Sequence, residues 1–120
     1  MKRLLTLTAA FVLFATAAHA ETRAEVEADL AAAATSGAEN MRVAVEAFQN
    51  DNAGKGCKYL NAARDNMTEA LNLIAQDRPL IQAEPSSDQK TADLSELDAM
   101  TDQFTDMRDR MDIQIEKRCA

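Results

Sequence analysis

The chain has 120 residues, with 20 acidic against 13 basic side chains, one histidine and two cysteines. A net charge of −7 gives no basic footprint for nucleic acid and no attraction to an anionic membrane surface. The length allows one domain beside a short targeting segment.

Residues 1–20 carry that segment. Lys2 and Arg3 precede an apolar run from Leu4 to Ala18, which closes on Ala18-His19-Ala20, the small-x-small form read by signal peptidase. The pattern predicts a signal peptide cleaved before Glu21. The run is short for a bilayer span of about 20 residues, so no stable membrane insertion is expected after cleavage. Residues 21–120 are then expected to form a single helical domain in the periplasm or outside the cell. Loss of Lys2 and Arg3 leaves 11 basic residues against 20 acidic. Such an acidic surface suits a soluble export product or a partner with a basic patch.

Glu21 to Asn52 reads as the first helix. Val26, Leu30, Ala33, Gly37, Met41, Ala44 or Val45, and Phe48 keep the three-and-four spacing of one helical face. That face is mostly small, which permits close approach of a neighbour. Thr35-Ser36-Gly37 is its weak point, because glycine costs about 1 kcal/mol relative to alanine there. Asn50 to Gly56 holds two glycines and three Asn/Asp residues, the chemistry of a turn and a helix cap.

The second helix is expected from Gly56 to Asp77, with a seam of Cys57, Leu60, Met67, Leu71 and Ile74 widened by Tyr59, Ala63, Ala70 and Leu73. Arg64 falls on this seam and reads as a snorkelling stem. Arg78 to Ser87 reads as the connection, since Pro79 and Pro85 resist helix and restrict the residue before each. A second helix that continues past Pro79 with a kink is the alternative. Ser86 and Gln89 stand at capping-box spacing. The third helix follows from Asp88 to Arg118, with Leu94, Leu97, Met100, Phe104, Met107, Met111 and Ile115 on one face and acidic residues on the other.

Beyond the signal peptide the chain has 18 alanines and 24 larger apolar residues, only three of them aromatic (Phe48, Tyr59 and Phe104). So thin a core needs a staple. An even cysteine count in an exported chain reads as a disulfide, here Cys57–Cys119. Closing that loop stabilises by about 4 kcal/mol in the chain-entropy model. A redox pair would want C-x-x-C spacing in a βαβ context, and neither occurs. If the second and third helices are antiparallel, the start of one lies beside the end of the other, which brings the two cysteines together. The expected fold is therefore all-α: a three-helix antiparallel bundle with one disulfide joining the start of helix 2 to the end of helix 3.

The chemistry is mostly one of exclusion. His19 leaves with the signal peptide, which removes histidine-based triads, histidine-ligated zinc and haem attachment. Ala53-Gly54-Lys55-Gly56 lacks the Walker spacing. No catalytic, cofactor-binding or metal-ligating set emerges, and the expectation is not an enzyme and no cofactor. Three weaker features remain. Asp102, Asp106 and Asp109 could meet a cation, but calcium sites use irregular loops rather than a helix face. Met100, Met107 and Met111, with Met41 and Met67, could hold Cu(I), but their spacing puts them on the core seam. Tyr59 and Lys58 could rim a small surface near the disulfide.

These readings lead to an exported, non-enzymatic helical protein: a protein-interaction or envelope-maintenance module with an unknown protein partner, or a secreted factor acting on a host protein. Val43 and Ile113 fall off the seams and would form its exposed apolar patch. The alternative is a periplasmic bundle binding a small ligand or metal, which predicts a cavity lined by Met67, Met100, Met107 and Phe104. An enzyme using carboxylates alone would need two acidic side chains with raised pKa in a cleft. The chain could be a monomer or a homodimer.

Overall fold

The computed structural model describes residues 21–119; the expected signal peptide, residues 1–20, lies outside the described residues. Three helices account for nearly all of what is described: α1 Arg23–Gln49, α2 Ala53–Gln82 and α3 Asp88–Arg118. They form the expected antiparallel three-helix bundle, with Cys57 and Cys119 joined by a disulfide across a Cα–Cα distance of 5.7 Å.

α1 begins on Thr22, whose hydroxyl accepts the Glu25 N–H at 3.2 Å. It runs unbroken through Gly37. That glycine is buried, and a Cβ there would stand 2.3 Å from Met67 Cε and 3.3 Å from Asn66 Cβ. The residue that looks like a weak point is where α1 and α2 approach most closely. Asn40 Nδ2 donates to Asn66 Oδ1 at 2.8 Å beside it.

α1 ends at Gln49, three residues earlier than its composition suggests. Asn52 N–H bonds to Ala47 O at 2.8 Å and Asp51 N–H to Phe48 O at 3.2 Å. This is a Schellman closure with Asp51, at φ 57°, in the left-handed position. Aspartate tolerates that conformation better than most side chains. The turn is only Asn50 to Asn52. Asn52 then caps α2 by accepting the Lys55 N–H at 3.2 Å, so α2 starts at Ala53 and takes both glycines into its first turns. Gly56 lies beneath Phe48, and a Cβ there would meet that ring at 2.7 Å.

The far end of α2 corrects a second boundary. The helix continues through Pro79 to Gln82 instead of stopping at Asp77. Pro79 is exposed, so its ring and missing N–H face away from the packing. Two residues on, Ile81 is 1% exposed in the core. Burying an isoleucine contributes about 1.5–3 kcal/mol, enough to offset most of the proline penalty of about 3 kcal/mol. The connection shrinks to Ala83–Ser87. α2 and α3 are therefore nearly equal, at 30 and 31 residues, and no chain has to run back along α3. The cap of α3 is Ser87 rather than Ser86, with its Oγ accepting the Lys90 N–H at 3.0 Å. Lys90 Nζ in turn donates to the Gln82 and Glu84 carbonyls, each at 2.8 Å.

α2 is the middle helix. α1 packs on it, α3 packs on it, and the backbones of α1 and α3 do not pack on each other. The α1–α2 seam is built from small residues, with Ala33, Gly37, Ala44 and Ala47 against Gly56, Ala63 and Ala70, all buried. α3 contributes less: of its expected seam only Leu97 and Met111 are fully buried, while Leu94, Met100, Phe104, Met107 and Ile115 are half-buried. Arg64 snorkels as expected and ends on Asp112 of α3, and Arg78 reaches Asp98 of α3 at 2.6 Å.

Two stability outcomes follow from this packing. Gly37→Ile forces a branched side chain against Met67 and Asn66 and should lower the unfolding free energy by about 3 kcal/mol, read by urea denaturation. An unchanged midpoint would mean that α1 and α2 are not in contact there. Replacing both cysteines by alanine should cost about 4 kcal/mol in the same assay.

Candidate functional site

Because the backbones of α1 and α3 pack on α2 but not on each other, an open groove runs between them. Near the disulfide it encloses about 380 Å³, lined by Met41, Ala44, Val45, Phe48, Gln49 and Leu60, with Gln114 and Arg118 of α3 opposite. Along the middle it continues as a wider recess of about 660 Å³ that shares Met41, Val45 and Gln49 and adds Gly37, Ala38, Met107 and Met111. At the other end about 260 Å³ lies between Leu30, Ala31 and Ala34 of α1 and Met100 and Phe104 of α3, with Arg23, Glu27, Asp93 and Glu96 at the mouth. Apolar side chains dominate the walls; Arg42 and Glu46 line the middle recess, and the other charged groups stand at the ends.

Both ends are tied. At the disulfide end the Arg118 guanidinium lies 5.3 Å from the Phe48 ring centroid, and the opposite side of that ring region covers Gly56. One aromatic side chain thus joins the end of α1, the start of α2 and the end of α3. At the opposite end Arg23 is the hub. It donates to both oxygens of Glu84 at 2.7 and 2.9 Å, to Asp93 Oδ2 at 2.7 Å and to Glu27 in its own helix. These charged hydrogen bonds raise the Arg23 pKa, Glu27 first and Asp93 second. Asp93 is held below the usual carboxylate range by Arg23 first, then by the Gln89 amide at 2.7 Å.

Asp77 was invisible to periodicity. It falls three residues after Ile74 and four before Ile81, on the buried side of α2, where it is 1% exposed. Neither carboxyl oxygen has a hydrogen-bond partner among the described residues. Burial is the largest cause that pushes its pKa up to about 6; the neighbouring Glu27 and Glu84 carboxyls add to it and Arg23 opposes it. The sequence signal that could have exposed it is the polar gap it makes between Ile74 and Ile81 in an otherwise apolar heptad.

The residues singled out by sequence separate in space. Cys57 and Cys119 come together. Asp102, Asp106 and Asp109 are exposed, with Asp106 paired to Arg110 at 2.9 Å, and no group of three or more His, Cys, Asp or Glu side chains among the described residues is arranged to hold a metal. Met41, Met67, Met107 and Met111 share the core cluster at the disulfide end, while Met100 packs in the other cluster. The expected cavity of Met67, Met100, Met107 and Phe104 is not one space: Met100 and Phe104 line one part of the groove, Met107 another, and Met67 is buried against Gly37. Lys58 lies 5.7 Å from the ring centroid of Tyr59, which is half-buried. Val43 is half-buried; the exposed large apolar residues are Val45 at 42% and Ile113 at 48%. Ala44, not Val45, takes the core position. No helix among the described residues is long and apolar enough to cross a membrane.

Comparison with known proteins found no matching family model, no similar curated protein and no similar solved structure.

Asp77 makes stability pH-dependent. Its folded pKa of about 6 lies above the ordinary 3.8, so the protonated form is the one folding favours. That stabilisation is complete below the ordinary value and is lost as pH rises through about 6. Across the window it amounts to about 3 kcal/mol. Asp93 acts in the opposite sense, its contribution disappearing as pH falls below the carboxylate range. Asp77→Asn should therefore raise stability at pH 8 and leave it nearly unchanged at about pH 3, below the ordinary value, measured by urea unfolding at both values. Equal destabilisation at both would show that Asp77 is a paired anion.

Proposed function

We propose that this chain is an exported, non-enzymatic helical module that binds protein, acting in protein interaction or envelope maintenance in the periplasm or outside the cell. The observation that carries the reading is the groove between α1 and α3. Its walls of Met41, Phe48, Met107 and Met111 are apolar, and Val45 on its edge is 42% exposed. Methionine-rich walls adapt to varied apolar surfaces, and a groove flanked by two parallel helices fits an amphipathic helix. The signal-peptide pattern of residues 1–20 and the disulfide support export. A small apolar ligand is the second reading, favoured by the enclosed part of about 380 Å³ with Arg118 at its mouth.

A photo-crosslinking residue in place of Val45, activated in cells that export the protein, tests the reading. The expected product is a covalent protein adduct at position 45 and none at Asp65, whose side chain is 77% exposed. Equal adducts at both positions would reject the groove as the docking surface. A small-molecule adduct at position 45 would move the second reading to first place.

A further inference from the structure

We propose that the occupant of the groove is a second copy of this chain, docked antiparallel to the first; this rests on the groove being a protein-docking surface. Charge is the first argument. The end of the bundle built from residues 21–29 and 78–96 carries eight acidic and three basic side chains, the buried Asp77 aside. The disulfide end, residues 50–58 and 113–119, carries two acidic and four basic, Lys55, Lys58, Lys117 and Arg118. α1 and α3 run in the same direction, so the polarity is continuous along both walls of the groove. A second copy laid parallel would set acid on acid. A copy turned end for end sets each basic end on an acidic one, and a two-fold axis across the middle makes the contact closed and self-complementary.

Shape gives the same register. The α1 wall carries Met41, Val45 and Phe48 with Arg42 and Glu46 in its second half, and is smaller toward its start, where Ala31 and Ala34 stand beside Leu30 and Glu27. The antiparallel arrangement lays α1 against α1 of the partner and brings each large half over a small one. The area is adequate as well. α1 spans about 40 Å at 1.5 Å per residue. Two outer helices separated by a third present a face about 20 Å wide. Their product is about 800 Å² on each copy, the size of a standard stable interface. Covering it would also bury the half-exposed seam of α3, where only Leu97 and Met111 are now fully buried.

Sedimentation velocity of the exported protein over a range of concentration and salt is the test. The expected result is a dimer whose dissociation constant rises at least about tenfold from low to high salt. Val45→Glu, at a position already exposed, should leave the circular dichroism unchanged and abolish the dimer. The pair Lys117→Glu with Arg118→Glu should weaken it, and Glu96→Lys added to that pair should restore part of the loss. A dimer indifferent to Val45→Glu and to salt would overturn the proposal. So would a monomer at all concentrations. If that monomer still crosslinks at position 45 to a different protein, the docking reading stands and the second copy falls; if it crosslinks to nothing, both fall.

Discussion

The constraint on which the structure depends is that α2 alone packs its backbone against both other helices, which meet each other only through side chains. Its two sides are made differently. Toward α1 it presents glycine and alanine, and α1 answers with the same, so the backbones approach until a Cβ at Gly37 would displace the Met67 methyl and stand 3.3 Å from Asn66 Cβ. Toward α3 it meets long side chains, Leu94, Met100, Phe104 and Met107, which hold that helix further off. One tight seam and one loose seam on the same helix leave the outer helices apart. The groove is a result of that asymmetry rather than of any cavity within the core.

The loosely packed α3 is fixed at its ends. The disulfide and the Arg118–Phe48 contact hold its last turn. The Arg23 hub and the Lys90 bonds to the end of α2 hold its first. Between them Arg64–Asp112 and Arg78–Asp98 bridge α2 and α3, and such partly exposed pairs contribute at most about 1 kcal/mol each. The acidic excess at the Arg23 end has a local consequence. One guanidinium meets Glu27, Glu84 and Asp93, and Asp77, buried beside them, is left without a hydrogen bond. A carboxyl in that position is favoured when neutral.

Helix number, order, the α3 boundaries and the disulfide were legible in the sequence, because they rest on apolar spacing and on cysteine count. Boundaries set by competition between neighbouring terms were not. The end of α2 depends on Ile81 offsetting most of the Pro79 penalty, and its start on Asn52 capping ahead of two glycines. Neither balance shows in periodicity. The groove was only half legible. Its walls were visible as seams, but the seam pattern gives a face without saying how many neighbours cover it. Val45 and Ala44 illustrate the limit: both fit the helical spacing, and only the closeness of α2 decides that the smaller one goes inside. Asp77 was missed because a single carboxyl on an apolar heptad reads as a shift of face.

The central claim is that α3 is held at its ends and incompletely covered along its seam until the groove is filled. Hydrogen–deuterium exchange, resolved along the chain, is the measurement that tests this. At high dilution the amides from Met100 to Met107 should exchange faster than those from Ala63 to Leu73, and they alone should slow when the groove is occupied. Equal, concentration-independent protection of the two segments would contradict the account.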